Sequence, residues 1–75
     1  MKVTVKLIGS FIHNLGFSEK QIELPAEATV ETILSSLPLD PARPKIVTIN
    51  GQAVARGEKL QAGDRVVISP LYSGG

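Results

Sequence analysis

The sequence predicts an α+β domain: a mixed sheet of four to five strands with one main helix packed on one face. Short segments near both ends and in the middle of the chain alternate polar and apolar residues, which is typical of half-buried strands. One segment between them changes to the period of an amphipathic helix, about 3.6 residues. A single helix on one sheet face buries both apolar surfaces within 75 residues.

The first half of the chain predicts two strands joined as a hairpin. KVTVKLI, at the N-terminus, has an apolar residue at every second position. GSFIHNLGF follows, and the short apolar patch between Gly9 and Gly16 predicts a loop with about one helical turn. EKQIELP then alternates again, with Ile22 and Leu24 expected to face inward. Pro25 ends this strand because proline has no N–H for a sheet ladder.

The one α-helix that we predict begins after Thr29 and ends before Pro38. Thr29 is a suitable N-cap residue, and proline cannot continue a helix. The apolar residues have the i, i+3, i+4 and i+7 spacing of one helix face, so we expect all of them to face the sheet: Val30, Ile33, Leu34 and Leu37.

The second half of the chain predicts the remaining strands. KIVTINGQAV reads as two short strands around Asn50 and Gly51, because Asn-Gly suits a two-residue hairpin turn with positive φ. Gly63 and Asp64 predict a turn into a last strand, VVIS, in which alternate residues face inward. The predicted order of elements is β, β, α, β, β, β.

Composition argues against several classes of function. Eight Lys and Arg against seven Asp and Glu, with few aromatic residues, disfavour a nucleic-acid partner. The absence of cysteine excludes a disulfide framework, a thiolate nucleophile and a Cys-type zinc site. His13 has no second ligand nearby, so we expect no metal site. Lys6 interrupts the first apolar run before it is long enough for a signal peptide. No stretch approaches the ~20 apolar residues of a membrane span. We therefore expect a cytoplasmic protein without a membrane partner.

Four pieces of the sequence together resemble a known family: IELPAEATVETIL, VTINGQAV, LQAGDRVVISPL and the terminal SGG. Over essentially the whole chain they are similar to the MoaD/ThiS group of ubiquitin-like sulfur carriers, which have the β-grasp fold. The opening VKLIGSFIHNLGF resembles the small subunit of molybdopterin synthase in particular. The resemblance implies a β-grasp domain over residues 1–71 and a flexible C-terminal tail over residues 72–75.

The same resemblance implies that Gly75 is the site of chemistry. A ThiF/MoeB-type activating enzyme would adenylate its carboxylate with ATP, and a sulfur donor protein would supply the sulfur of a thiocarboxylate. The chain has no Walker-type glycine-rich loop, so ATP belongs to the partner and the chain itself binds no cofactor. Gly74, which lacks a Cβ, would let the tail enter a narrow channel. Leu71, Tyr72 and Ser73 are expected to contact the activating enzyme.

The implied sulfur recipient is the large subunit of molybdopterin synthase. The chain would have no catalytic side chains of its own and would act as the sulfur-donating subunit or co-substrate of a synthase. Three alternatives stay open: a carrier that serves thiazole synthase, a ubiquitin-like modifier conjugated through Gly75 to lysines of other proteins, and an interaction module with an idle tail.

The basic residues of the second half of the chain predict a solvated surface, with a partner-steering patch as the alternative. They are Arg43, Lys45, Arg56, Lys59 and Arg65.

Overall fold

The computed structural model describes residues 1–71. Within that range the chain forms five strands and two helices: β1 (Lys2–Leu7), α1 (Ser10–Leu15), β2 (Glu19–Glu23), α2 (Val30–Ser36), β3 (Lys45–Ile49), β4 (Gln52–Ala53) and β5 (Arg65–Pro70). The strands form one sheet in the order β2-β1-β5-β3-β4. The α+β class predicted from the sequence is therefore confirmed.

The sheet is mixed because β1 and β5 run parallel, while the neighbouring pairs in the sheet are antiparallel. The predicted hairpin of β1 and β2 is present, and so is the predicted β3–β4 hairpin. In the β3–β4 turn, Asn50 has φ +50° and Gly51 has φ +90°, the positive values for which Asn-Gly is suited. The parallel pairing of β1 and β5 joins the two ends of the described chain at the centre of the sheet.

The core lies between α2 and the inner face of the central strands. Ile33 of α2 is fully buried, and Val30 is 1% exposed. The inner-face residues of β1 and β5 are at most 1% exposed: Val3, Val5, Leu7, Val66 and Ile68.

The prediction that four residues of α2 and its C-cap face the sheet is correct for Val30 and Ile33 and only partly correct for Leu34 and Leu37. Leu34 and Leu37 are half-buried and pack against the margin of the core. Leu34 also lines a surface cavity beside Arg56. Apolar residues with this spacing cover a wider helix face than one short helix can bury against a sheet. The side chains at the edge of that face therefore stay partly exposed to solvent.

The segment after β1 forms the six-residue helix α1, where the sequence predicted a loop with about one helical turn. Phe11 of this helix is completely buried. Gly16 ends the helix in the left-handed conformation, and its N–H donates to the Ile12 carbonyl at 2.8 Å. Burial of Phe11 stabilises a helix that is too short to form alone. His13 lies on this helix and is exposed.

Side-chain hydrogen bonds join the β3–β4 turn to the turn before β5. The Asn50 Nδ2 donates to the Asp64 Oδ1 at 3.0 Å, and the Arg65 backbone N–H donates to the Asn50 Oδ1 at 3.0 Å. The Asp64 Oδ2 accepts the Gln61 N–H at 2.8 Å. Asp64 therefore has the turn role that the sequence predicts, and it also fixes where β5 begins relative to β3.

Replacing Ile33 by Ala should lower the free energy of unfolding by about 2–5 kcal/mol, because a fully buried side chain leaves a cavity when truncated. Leu34→Ala should cost clearly less, because Leu34 is half-buried at the margin of the core. Urea denaturation of both variants measures the difference. Equal losses in the two variants would contradict this description of the core.

Candidate functional site

The end of β5 and the residues around it form a site at one end of the sheet, which we call the tail base: Gly9, Pro44, Pro70 and Leu71. Pro70 lies opposite Lys45 at the end of the β3–β5 pairing. One residue further, the Leu71 N–H donates to the Pro44 carbonyl at 3.2 Å. The backbone is thus held to β3 up to the point where the predicted tail begins.

Gly9 shapes the tail base from the other side. It has φ +60° and ψ −135°, a conformation that residues with a Cβ rarely adopt, and it turns the chain from β1 into α1. A Cβ at this position would lie 3.5 Å from the Pro70 Cγ, an ordinary van der Waals distance. The backbone angle, more than the space, therefore makes glycine the suitable residue here.

Arg43 fastens the loop before β3 to α1. Its Nη2 donates to the Ser10 Oγ at 2.6 Å, and its guanidinium carbon lies 4.7 Å from the centre of the Phe11 ring. The cation therefore lies over an aromatic face that is itself part of the core. This contact holds Pro44, the residue that binds the Leu71 N–H, in a fixed position.

Three large apolar side chains among residues 1–71 are exposed, and they lie at this same end of the sheet. Ile8 is 39% exposed, Ile46 is 40% exposed and Leu71 is 47% exposed. Ile46 lies opposite Ser69, and Ile8 follows Leu7, which lies opposite Ile68. Because the inner-face residues alternate with Ile8 and Ile46, these two side chains lie on the sheet face away from α2, and Leu71 follows β5 at the same end of the sheet. We call this surface the outer apolar patch.

The structure places one of the predicted partner-binding residues, Leu71, in the outer apolar patch. The predictions for Tyr72, Ser73, Gly74 and Gly75 lie outside the described residues.

Ile8 and Ile46 were missed by the sequence interpretation, although each has a signal. Ile8 is an apolar residue on the polar side of the first strand's alternation. Ile46 precedes the apolar Val47, so one of these two neighbours must face outward.

Three of the predicted basic residues converge on the opposite side of the tail base. Arg43, Lys45 and Arg56 line one cavity of about 340 Å³, which we call the cationic cleft. Arg65 instead lies on the outer sheet face, 3.0 Å from a carboxylate oxygen of Glu19. Lys59 lines a different surface cavity. The five residues therefore form no single patch.

Within residues 1–71 there is no group of three or more His, Cys, Asp or Glu residues that could hold a metal ion. No helix in the same range is long and apolar enough to cross a membrane.

Comparison with known proteins gives a family match that covers nearly the whole chain: the model of the ThiS family matches residues 5–75. A putative molybdopterin converting factor, subunit 1, from Pyrococcus furiosus has 26% identity, a TM-score of 0.83 and coverage of 93% of this chain and 97% of its own. No protein of curated function matches the sequence significantly.

Two further solved structures show the shared fold. SAMP1 from Haloferax volcanii is 24% identical over 100% of both chains, with a TM-score of 0.81. A chain of the Amycolatopsis orientalis BexX/CysO complex is 22% identical over 97% of this chain and 99% of its own, with a TM-score of 0.64. The predicted ubiquitin-like β-grasp fold is thereby confirmed.

Gly9→Ala should lower the free energy of unfolding by about 1–3 kcal/mol, because it forces an alanine into the left-handed region. Gly57→Ala is the matched control: Gly57 has no such φ, and no atom lies within 4 Å of the added Cβ. Urea denaturation should find the control within about 0.5 kcal/mol of the parent. A Gly9→Ala variant as stable as the control would refute the strain at this turn.

Proposed function

The chain belongs to the ThiS family of ubiquitin-like sulfur carriers, and from this membership we propose that Gly75 carries the sulfur as a C-terminal thiocarboxylate. The observation that carries the proposal is the family match, which continues to the terminal glycine pair at Gly74 and Gly75. The described geometry supports it, because the last strand of the sheet ends at the tail base with Leu71 exposed.

The proposed chemistry needs a partner that binds ATP. A carboxylate is a poor electrophile, so one of its oxygens must first become part of a good leaving group. An activating enzyme of the ThiF/MoeB type joins the Gly75 carboxylate to AMP and releases pyrophosphate. A persulfide sulfur of the donor protein then attacks the carbonyl carbon and displaces AMP, and reduction of the acyl disulfide by a thiol leaves the thiocarboxylate.

Two glycines at the reacting end suit this role. Without a Cβ on Gly74 or Gly75, the partner's channel can close around the backbone and approach the carbonyl closely. Close approach matters because small errors in the position of reacting atoms cost large factors in rate.

We propose molybdopterin synthesis as the destination of the sulfur, with the large synthase subunit as the receiving partner. The 26% identity with the molybdopterin converting factor subunit from Pyrococcus furiosus supports this choice. Thiazole synthesis and attachment to protein lysines are the competing destinations, since each begins with the same adenylated glycine.

Incubating the charged carrier with the large synthase subunit or with thiazole synthase distinguishes the two cofactor routes. Branched Gly-Gly peptides in the host would indicate conjugation.

The outer apolar patch is our proposed docking surface for the activating enzyme. It contains Ile8, Ile46 and Leu71, and Leu71 also belongs to the tail base, so an enzyme seated there meets the beginning of the tail. Exposed apolar side chains grouped at one end of a sheet commonly mark protein interaction sites. Tyr72 and Ser73 would extend the same contact toward the glycine pair.

Incubation of the intact chain with a cognate activating enzyme, ATP and a sulfur donor should exchange one terminal oxygen for sulfur, measured as a mass increase of the intact protein. Deleting Gly75 places the carboxylate one residue short of the ATP, and adding a residue after Gly75 moves it past the ATP. Both variants should lose sulfur transfer by orders of magnitude while their melting temperatures stay unchanged. Sulfur acquired at the normal rate by the chain that lacks Gly75 would reject the carrier mechanism.

Ile46→Asp should slow adenylation about tenfold or more at limiting carrier concentration, because it places a charge within the docking surface. Gln21→Asp is the matched control, since Gln21 lies opposite Thr4 on the same sheet face but away from the patch. Pyrophosphate release measures both rates, and the control should stay within about twofold of the parent. Equal rates for the two variants would place the docking surface elsewhere.

A further inference from the structure

The cationic cleft is a second surface beside the tail base, and the proposed sulfur chemistry does not use it. It lies between α2, the loop before β3 and the segment 54–56, and it adjoins a smaller cavity of about 70 Å³. Three of the chain's eight Lys and Arg residues line the larger cavity. No carboxylate among residues 1–71 lines it, although Glu31 lines the smaller one. A nearly neutral chain thus carries a cleft whose charged lining residues within residues 1–71 are all positive.

The cations of the cleft are held in place by contacts that are mostly uncharged. The Lys45 Nζ donates to the Arg43 carbonyl at 2.7 Å, and the Arg56 Nη2 donates to the Pro41 carbonyl at 3.2 Å. Arg56 also lies 3.5 Å from the Glu31 carboxylate, whereas Arg43 and Lys45 have no ion pair within residues 1–71. Side chains already ordered in this way lose less conformational entropy when an anion binds.

The backbone fixes the position of the cleft walls as well. The Glu31 N–H at the start of α2 donates to the Arg56 carbonyl at 2.9 Å, which ties the segment 54–56 to the helix. On the other wall, Lys45 begins β3, and Arg43 is held over the Phe11 ring. The cleft therefore exists before any partner binds.

The electrostatic environment of Lys45 agrees with an anion site. Burial lowers the pKa of Lys45, and repulsion from Arg56 lowers it further. Asp40 and Glu31 act in the opposite direction, and Arg43 again lowers the pKa, without reversing the overall shift. A carboxylate bound in the cleft would relieve this repulsion.

We propose that the cationic cleft binds an acidic peptide segment of a protein partner, with a carboxylate near Arg43, Lys45 and Arg56 and an aliphatic side chain against Leu34 and Val54. Leu34 and Val54 line the cleft and are half-buried, so they offer apolar surface that an inorganic anion would leave in water. A peptide with both side-chain types covers the cations and the apolar surface together.

The position of the cleft also favours a protein partner. Pro44 lines the cleft, and its carbonyl accepts the Leu71 N–H of the tail base. Pro44 therefore places the cleft next to the point where a partner would meet Leu71. The proposed binding is nevertheless a property of the folded domain and does not require that Gly75 carry sulfur.

The test is titration of the full ¹⁵N-labelled chain with a short blocked peptide of alternating glutamate and leucine, followed by NMR. Saturable shifts are expected at the backbone amides of the cleft residues Arg43, Lys45 and Arg56, and they should weaken with salt because the screening length is about 10 Å at 0.1 M. A peptide with glutamine in place of glutamate should bind much more weakly. Equal binding of the two peptides, or shifts confined to the outer sheet face, would overturn the proposal.

Arg56→Gln and Arg65→Gln are a matched pair of variants. Each arginine is about half exposed and paired with one glutamate, at 3.5 Å for Arg56 and 3.0 Å for Arg65, but only Arg56 lines the cleft. Arg56→Gln should weaken peptide binding roughly two- to fivefold, while Arg65→Gln leaves it nearly unchanged. Equal weakening would mean general charge attraction and would overturn the cleft assignment.

Two further measurements distinguish the proposed peptide site from a site for small anions and from the proposed sulfur chemistry at Gly75. Inorganic phosphate should bind more weakly than the glutamate–leucine peptide at equal concentration; tighter phosphate binding would make the cleft a small-anion site and reject the peptide. Deleting Gly75 should leave peptide binding unchanged. A loss of binding in that variant would contradict the assignment to the folded domain, whatever the outcome of the sulfur-transfer experiment.

Discussion

The position of β5 between β1 and β3 is the constraint on which the rest of the structure depends. Val66 and Ile68 of this strand are completely buried, and each edge of the strand pairs with a neighbour. The last strand within residues 1–71 is therefore the central strand of the sheet. Since β5 pairs with strands from both halves of the sequence, it joins the β1–β2 hairpin to the β3–β4 hairpin and closes the core under α2.

This arrangement separates the stability of the domain from the proposed chemistry. The fully buried residues lie along the inner face of the sheet, whereas the residues at the tail base contact one another mainly through backbone groups and Pro70. The core contacts within residues 1–71 are formed without any residue of the tail base except through its backbone and Pro70, and the end of β5 has a fixed position relative to the outer apolar patch. The proposed partner would therefore bind a surface that is positioned by the core but contributes little to it.

The sequence predicts the elements that have strong local patterns and misses those that depend on tertiary contacts. Alternation gives β1, β2 and β5, and Asn-Gly gives the β3–β4 turn. Helix α1 was underestimated because its stability comes from burial of Phe11, which no local period reveals. Leu34 was assigned to the core because spacing identifies a helix face without measuring how much of that face the sheet covers.

The candidate surfaces were less predictable than the fold for the same reason. Arg43 and Lys45 are close in the sequence, but Arg56 joins them through tertiary contacts, which include the hydrogen bond of its carbonyl to the start of α2. Lys59, three positions further, lines another cavity. The sequence therefore identifies five basic residues but does not show which three of them line the cationic cleft.

The rest of the outer sheet face supports a functional interpretation of the outer apolar patch. Away from the patch, this face pairs opposite charges across β1 and β2, with Lys2 opposite Glu23 and Lys6 opposite Glu19. The sheet edges are protected as well, because β2 is rich in charged residues and β4 has only two residues. The charged outer face and both sheet edges are thus protected from association. Within residues 1–71, the exposed large apolar residues Ile8, Ile46 and Leu71 lie only at the end of the sheet where β5 ends. Exposed apolar surface favours aggregation unless a partner covers it, so its confinement to the end of the sheet beside the tail base supports the proposed docking surface.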